Sequence, residues 1–167
     1  MKKLILSLAI ACLAVPGSAL AQNAYITNFD TNNVTVIDTS TATVTATVGV
    51  GAAPSGVAVS PDGTKAYTAN QHANSVSVID TGTNTVTATI PAGTYPWGIA
   101  ITPDGSKVYV ANDGSANVTV INTATNAVAS TINLGSPGNP NPVGVAVTPD
   151  GSTALVSAGT PNAINYL

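Results

Sequence analysis

The stretch GVAVSPDGTKAYTAN, Gly56–Asn70, decides the fold, because the chain writes it again as GIAITPDGSKVYVAN at Gly98–Asn112 and as GVAVTPDGSTALVSA at Gly144–Ala158. Pro54 to Pro96, Asp62 to Asp104 and Asn70 to Asn112 are each steps of 42 residues, and Asp104 to Asp150 is 46, the extra residues falling in the Gly/Pro/Asn loop Gly135–Pro142. A fixed period near that length with strand chemistry is the mark of propeller blades. Within the unit that carries the first phrase, four strands are expected: A at Val57–Ser60, B at Lys65–Asn70, C at Ser75–Asp80 and D at Thr85–Ile90. Val, Ile, Thr and Tyr fill them and turn residues separate them.

Two kinds of turn recur. In SPDGT, proline presets the first central position of a type I turn, Asp62 suits the second, and Gly63 accepts a positive φ as the bulge residue of an A–B hairpin. Asp104-Gly105 and Asp150-Gly151 repeat it. The C–D hairpins carry Asp38-Thr39-Ser40-Thr41, Asp80-Thr81-Gly82-Thr83 and Asn122-Thr123-Ala124-Thr125, where the first side chain accepts hydrogen bonds from amides ahead of it. All these acids are read as structural turn residues.

Ahead of the repeats, Lys2 and Lys3, the apolar run Leu4–Val15 and the small residues Ala19-Leu20-Ala21 form an export signal over 1–21. The run is shorter than the about 20 residues a membrane helix needs, so no membrane span is expected. A lipoprotein site before Cys12 is the weaker alternative, since Ala9-Ile10-Ala11 approaches it poorly. Cleavage before Gln22 removes the single cysteine, leaving no disulfide and no thiol chemistry. The formal net charge of −3 becomes more negative once Lys2 and Lys3 leave, and there is no Arg or Glu. Without a basic stripe to neutralise phosphates, nucleic acid is not an expected partner.

Tyr25-Ile26-Thr27-Asn28, Tyr67-Thr68-Ala69-Asn70 and Tyr109-Val110-Ala111-Asn112, decaying to Leu155-Val156-Ser157-Ala158, resemble the tetrapeptide of the bacterial, exported YVTN-family β-propeller repeat proteins. The resemblance covers residues 22–167, divided as units 22–52, 53–94, 95–136 and 137–167. It implies an all-β propeller of four-stranded antiparallel blades in the periplasm or outside the cell. Its relatives include surface-layer proteins, periplasmic proteins and propeller enzymes. The first unit starts at strand B and the last stops at strand C, so 14 strands are expected. That is about three and a half blades, an open arc beside closed rings of about 4 to 8. Either the chain is a partial member of the family, or two copies complete one ring as a homodimer.

The B–C loops differ between units: Phe29-Asp30-Thr31-Asn32, Gln71-His72-Ala73-Asn74 and Asp113-Gly114-Ser115-Ala116. Variable loops on a rigid frame are where binding concentrates, so ligand-binding candidates are sought there. Trp97, in place of Ser55 and Val143 at the start of strand A, offers a stacking surface near the mouth of a central channel, with Tyr95 beside it. The alternative is packing against Pro96 and the next blade. His72, Asp30 and Asp113 are further ligand-binding candidates on the B–C loops, although a lone imidazole builds no ordinary zinc site and the two acids form no recognised calcium loop. No metal or cofactor is expected and no residue takes a catalytic role: Cys-x-x-Cys-His, Gly-x-Ser-x-Gly and phosphate-loop motifs do not occur. The expected function is a non-catalytic binding or scaffold module for a protein or glycan. The alternatives are a lactonase-type or quinoprotein-type enzyme, or a functionless fragment.

Overall fold

The computed structural model describes residues 23–135, 141–159 and 163–166. The export signal, Cys12 and residues 136–140 of the long loop lie outside them. Four antiparallel sheets follow one another. The first holds β1 (Asn23–Asn28), β2 (Asn33–Asp38) and β3 (Thr43–Gly49). The second holds β4 (Pro54–Val59), β5 (Lys65–Asn70), β6 (Ser75–Asp80) and β7 (Thr85–Pro91). The third holds β8 (Pro96–Ile101), β9 (Lys107–Asn112), β10 (Asn117–Asn122) and β11 (Ala127–Asn133). The fourth holds β12 (Pro142–Val147), β13 (Ala154–Ala158) and β14 (Ala163–Tyr166). This is the all-β, partial-propeller architecture that the repeat implies, with strand order equal to chain order in every sheet.

Burial shows how the sheets stack. Along β1 buried and half-buried residues alternate, the pattern of a sheet covered on one face. Along β5 and β6 nearly every residue is buried, because the second sheet has a neighbour on both faces. Between the first and second sheets Tyr25, Val34, Val36 and Val48 meet Val57, Ala66 and Ile79. Between the second and third, Tyr67, Val76, Val78 and Ile90 meet Val108, Val110 and Ile121. Each fully buried Val or Ile contributes about 1.5–3 kcal/mol by leaving water. The strands farthest from the stack's inner edge are wet: Val44, Val86 and Val128 stand exposed at matching places on β3, β7 and β11.

The glycine that opens each repeated phrase has a packing reason. A Cβ on Gly56 would lie 2.6 Å from the Trp97 carbonyl, and one on Gly98 would lie 2.5 Å from the Val143 carbonyl. Strands β4, β8 and β12 therefore approach backbone to backbone. Strand A is longer than its alternating residues suggest, reaching back to Pro54, Pro96 and Pro142. A register shift between Pro54 and Val57, repeated between Pro96 and Ile99, swings this front part toward the next sheet. The Ser55 hydroxyl lies there 3.1 Å from the Pro96 carbonyl and 3.0 Å from that of Trp97, bolting β4 to β8.

Candidate functional site

The antiparallel order sends the A–B and C–D turns to one end of the sheets and the B–C loops and D–A crossings to the other. At the turn end Gly63, Gly105 and Gly151 take φ values of 72°, 73° and 72°. The amide of each donates back to the residue three before it, as in Gly63 N–H to the Ser60 carbonyl at 2.8 Å. Asp62 accepts from the Ser60 hydroxyl and from the amide and hydroxyl of Thr64. Asp104 does the same with Thr102 and Ser106, and Asp150 with Thr148 and Ser152. The donated hydroxyls first, and the amides next, hold the Asp104 and Asp150 carboxyls down to about 2. In the C–D turns Asp38 accepts from the Ser40 and Thr41 amides, Asp80 from that of Thr83, and Asn122 from those of Ala124 and Thr125.

Between the turns of the second and third sheets lies a cavity of about 210 Å³. Asp62, Lys65 and Tyr67 form one wall, and Asp104, Gly105 and Thr123 the other. The Lys65 ammonium donates across it to the Thr123 carbonyl at 3.2 Å. Tyr67 is fully buried, and its hydroxyl has no hydrogen-bond partner. Burial, and then the charge on Asp62, push the Tyr67 hydroxyl pKa up, so it remains a phenol and a donor.

The loop end is organised differently. Asn32 and Asn74 close their B–C loops in the left-handed conformation, at φ 55° and 51°. From there their side-chain carbonyls accept the amides of Ala53 (2.8 Å) and Tyr95 (3.0 Å), the residues just ahead of the next sheet. Ala116 holds the same backbone conformation at φ 49° but carries no side chain able to make that bond. Asn70 and Asn112, the last residues of the tetrapeptide, donate across to Ser75 and Ser77 and to Asn117 and Thr119. A Cβ on Gly51 or Gly93 would strike the Asn70 or Asn112 side chain at 2.7 Å, so the crossings between sheets fold down onto these amides.

Three rings come together here across three units, two of them, His72 and Tyr95, candidates from the sequence. Phe29 and His72 meet edge to face with centroids 5.5 Å apart, and His72 meets Tyr95 in the same manner at 6.1 Å. His72 and Tyr95 are exposed, Tyr95 by 47 %. Tyr95 adopts φ 53°, a left-handed conformation that costs a bulky side chain energy. It is held by the Asn74 bond and by the Asp113 amide donating to its carbonyl at 3.0 Å.

The other candidates are placed apart from this row. Trp97 is half-buried on β8, its carbonyl engaged by Ser55. Asp30 is exposed and is the second residue of its loop, the place held by His72 in the next unit, whereas Asp113 is the first residue of its own and is half-buried. A whole unit separates the two acids. One Asp113 oxygen is buried without a partner. Among the described residues no group of three or more His, Cys, Asp or Glu is placed to hold a metal ion. Sequence reasoning did not single out Phe29, Tyr67 or Lys65. Phe29 is the chain's only phenylalanine, and that is the signal available; Tyr67 is marked only as the first residue of its tetrapeptide, and Lys65 as one of the chain's four lysines.

The family described as "Lactonase, 7-bladed beta-propeller" matches residues 20–147. Among curated proteins none matches the chain. Among solved structures it is similar to Kuenenia stuttgartiensis hydrazine synthase, with 26% sequence identity and a TM-score of 0.80 over 92% of this chain and 49% of that one. The chain thus spans about half the length of that match. With the family match running through the first three sheets and β12, this chain belongs to the family described as lactonase, seven-bladed β-propeller.

Proposed function

We propose that the chain is an exported propeller of the YVTN-repeat type that works as a non-catalytic binding or scaffold module in the periplasm or at the cell surface. The observation that carries the reading is the row Phe29–His72–Tyr95, three rings from three units presented on loops that a packed frame holds still. Phe29 is half-buried, and the exposed His72 and Tyr95 rings on rigid mounts give contact area for little lost side-chain entropy. The partner is a protein or a glycan that lays an apolar face along that row. Cross-linking in periplasmic extract and a glycan array, each repeated with Tyr95→Ala, test it. The variant should lose the captured partner, and equal capture by both proteins sinks the reading.

The family match favours a second reading, hydrolysis of a lactone. An assay over a panel of lactones checks it. Turnover that disappears in His72→Ala would install that reading in place of the binding module.

A further inference from the structure

The two ends of the sheets differ in charge as well as in build. Lys65 and Lys107, the lysines among the described residues, each open a strand directly after an A–B turn and so lie at the turn end. The carboxylates there are held by donors of their own turns. The loop end carries no lysine among the described residues. Its carboxylates are Asp30 and Asp113, and among the described residues no hydrogen bond occupies the side chain of either. Each acid accompanies an outer ring of the row. Asp30 follows Phe29 in the short turn Phe29–Thr31 and is exposed. Asp113 donates its amide to the Tyr95 carbonyl at 3.0 Å, and a Cβ on Gly114 would lie 2.7 Å from the Tyr95 ring, so that ring rests on the loop that Asp113 opens. Asp113 is half-buried with one oxygen fully covered, and it acts on the row by its field rather than by contact.

Aromatic faces attract cations through their quadrupole, and two negative charges with no lysine beside them favour a partner of the same sign. Arginine suits such a row best, because its stem is apolar and its planar head is weakly hydrated and stacks on rings. The steps between rings, 5.5 and 6.1 Å, are close to the about 6.6 Å that separates same-face side chains of an extended chain. We propose that the row is a docking surface for an extended, arginine-rich segment of a partner protein, with one guanidinium over Tyr95 and another beside Phe29 against Asp30. This rests on the reading of the row as a binding site and narrows its partner from a protein or glycan to a basic protein segment.

The test is fluorescence anisotropy of a labelled peptide with arginine at alternate residues and serine between them, titrated with the full chain at about 0.15 M salt. Peptides with citrulline, a neutral isostere, or with glutamate in place of arginine give the comparison. The expected result is saturable binding of the arginine peptide, weaker binding of the citrulline peptide and none of the glutamate peptide. Tyr95→Ala should weaken the arginine peptide about tenfold. Asp30→Asn, which neutralises one exposed carboxylate, should weaken it about threefold. Asp80→Asn at the turn end removes the same charge and should leave affinity nearly unchanged, which separates a local site from attraction to an acidic protein. No saturable binding of the arginine peptide would overturn the proposal, as would unchanged affinity in Tyr95→Ala or equal weakening by Asp30→Asn and Asp80→Asn. Equal binding of the arginine and citrulline peptides, lost in Tyr95→Ala, would also overturn it while leaving the row a binding site. The wider reading fails by a separate result, equal capture from periplasmic extract by the parent and Tyr95→Ala.

Discussion

The two ends of the sheets are built from the same strands and obey opposite rules. At the turn end the same bonds recur unit after unit: Asp62, Asp104 and Asp150 gather hydroxyl and amide donors in one pattern. At the loop end the hinges recur, as Asn32 and Asn74 show, and so do the bonds that Asn70 and Asn112 donate, but the exposed residues of the loops do not. What stands beside those hinges changes: Asp30 gives way to His72 one unit later, and Ala53 to Tyr95. Repetition within one chain therefore marks what the fold needs, and departure from it marks what the fold carries. The cavity beside Tyr67 qualifies the rule, because repeated residues of two neighbouring units enclose a space that neither unit has alone.

The largest expected effect lies between the two ends, where the inner strands touch. Gly98→Val would drive a side chain into the Val143 carbonyl, 2.5 Å from its Cβ, with backbone on the far side that has nowhere to go. A loss of about 3 kcal/mol or more is expected, read as a lower midpoint in thermal or denaturant unfolding. Gly49→Val is the matched control: nothing lies within 4 Å of that Cβ on the outer strand β3, so its midpoint should move by about 0.5 kcal/mol or less. Equal losses in the two would refute the close approach of β4, β8 and β12.

Much of this architecture is legible in the residues. A 42-residue step, proline and glycine at fixed places in each turn, and runs of Val, Ile and Thr leave few folds open. What stayed hidden depends on neighbours in space. Gly56 and Gly98 look like ordinary strand glycines until the adjacent sheet is in place. Ser55 looks like a variable position until its hydroxyl is seen to reach β8. Phe29, His72 and Tyr95 sit on three separate loops, and only the stagger of successive units brings their rings into one row. Trp97 drew the eye by rarity, yet its half-buried place on β8 left the exposed position to Tyr95.

Acid should separate the two ends next. The carboxyls of Asp104 and Asp150 sit at about 2 in the folded protein, below the about 3.9 of an unfolded chain. A depressed folded value means that the ionised turns stabilise the protein above pH ~4 and lose that contribution as pH falls toward ~2. Melting midpoints should drop through this window, and Asp104→Asn with Asp150→Asn should flatten the slope. An unchanged slope would mean that these turns add nothing to the frame.

A smaller effect is expected at the hinge. Asn74→Ala deletes the acceptor of the Tyr95 amide and puts alanine in a left-handed conformation that asparagine tolerates better. The cost should be about 1 kcal/mol. Partner binding should weaken as well, because Tyr95 loses the bond that holds it at its unusual φ. A variant that keeps full binding would mean that the Asp113 amide alone positions the ring.

The smallest effect on stability should come from the residue that matters most for presentation. Tyr95 is 47 % exposed, and Ala53, its counterpart one unit earlier, already occupies the same turn with the same φ of 53°. The backbone thus accepts alanine at this place, and the Asn74 acceptor binds an amide that every residue but proline provides. Tyr95→Ala should leave the unfolding midpoint within about 0.5 kcal/mol of the parent, yet remove the outer ring of the row and lower partner capture about tenfold or more. If stability fell instead while capture held, the tyrosine would belong to the frame. The loop end would then differ from the turn end in sequence but not in task.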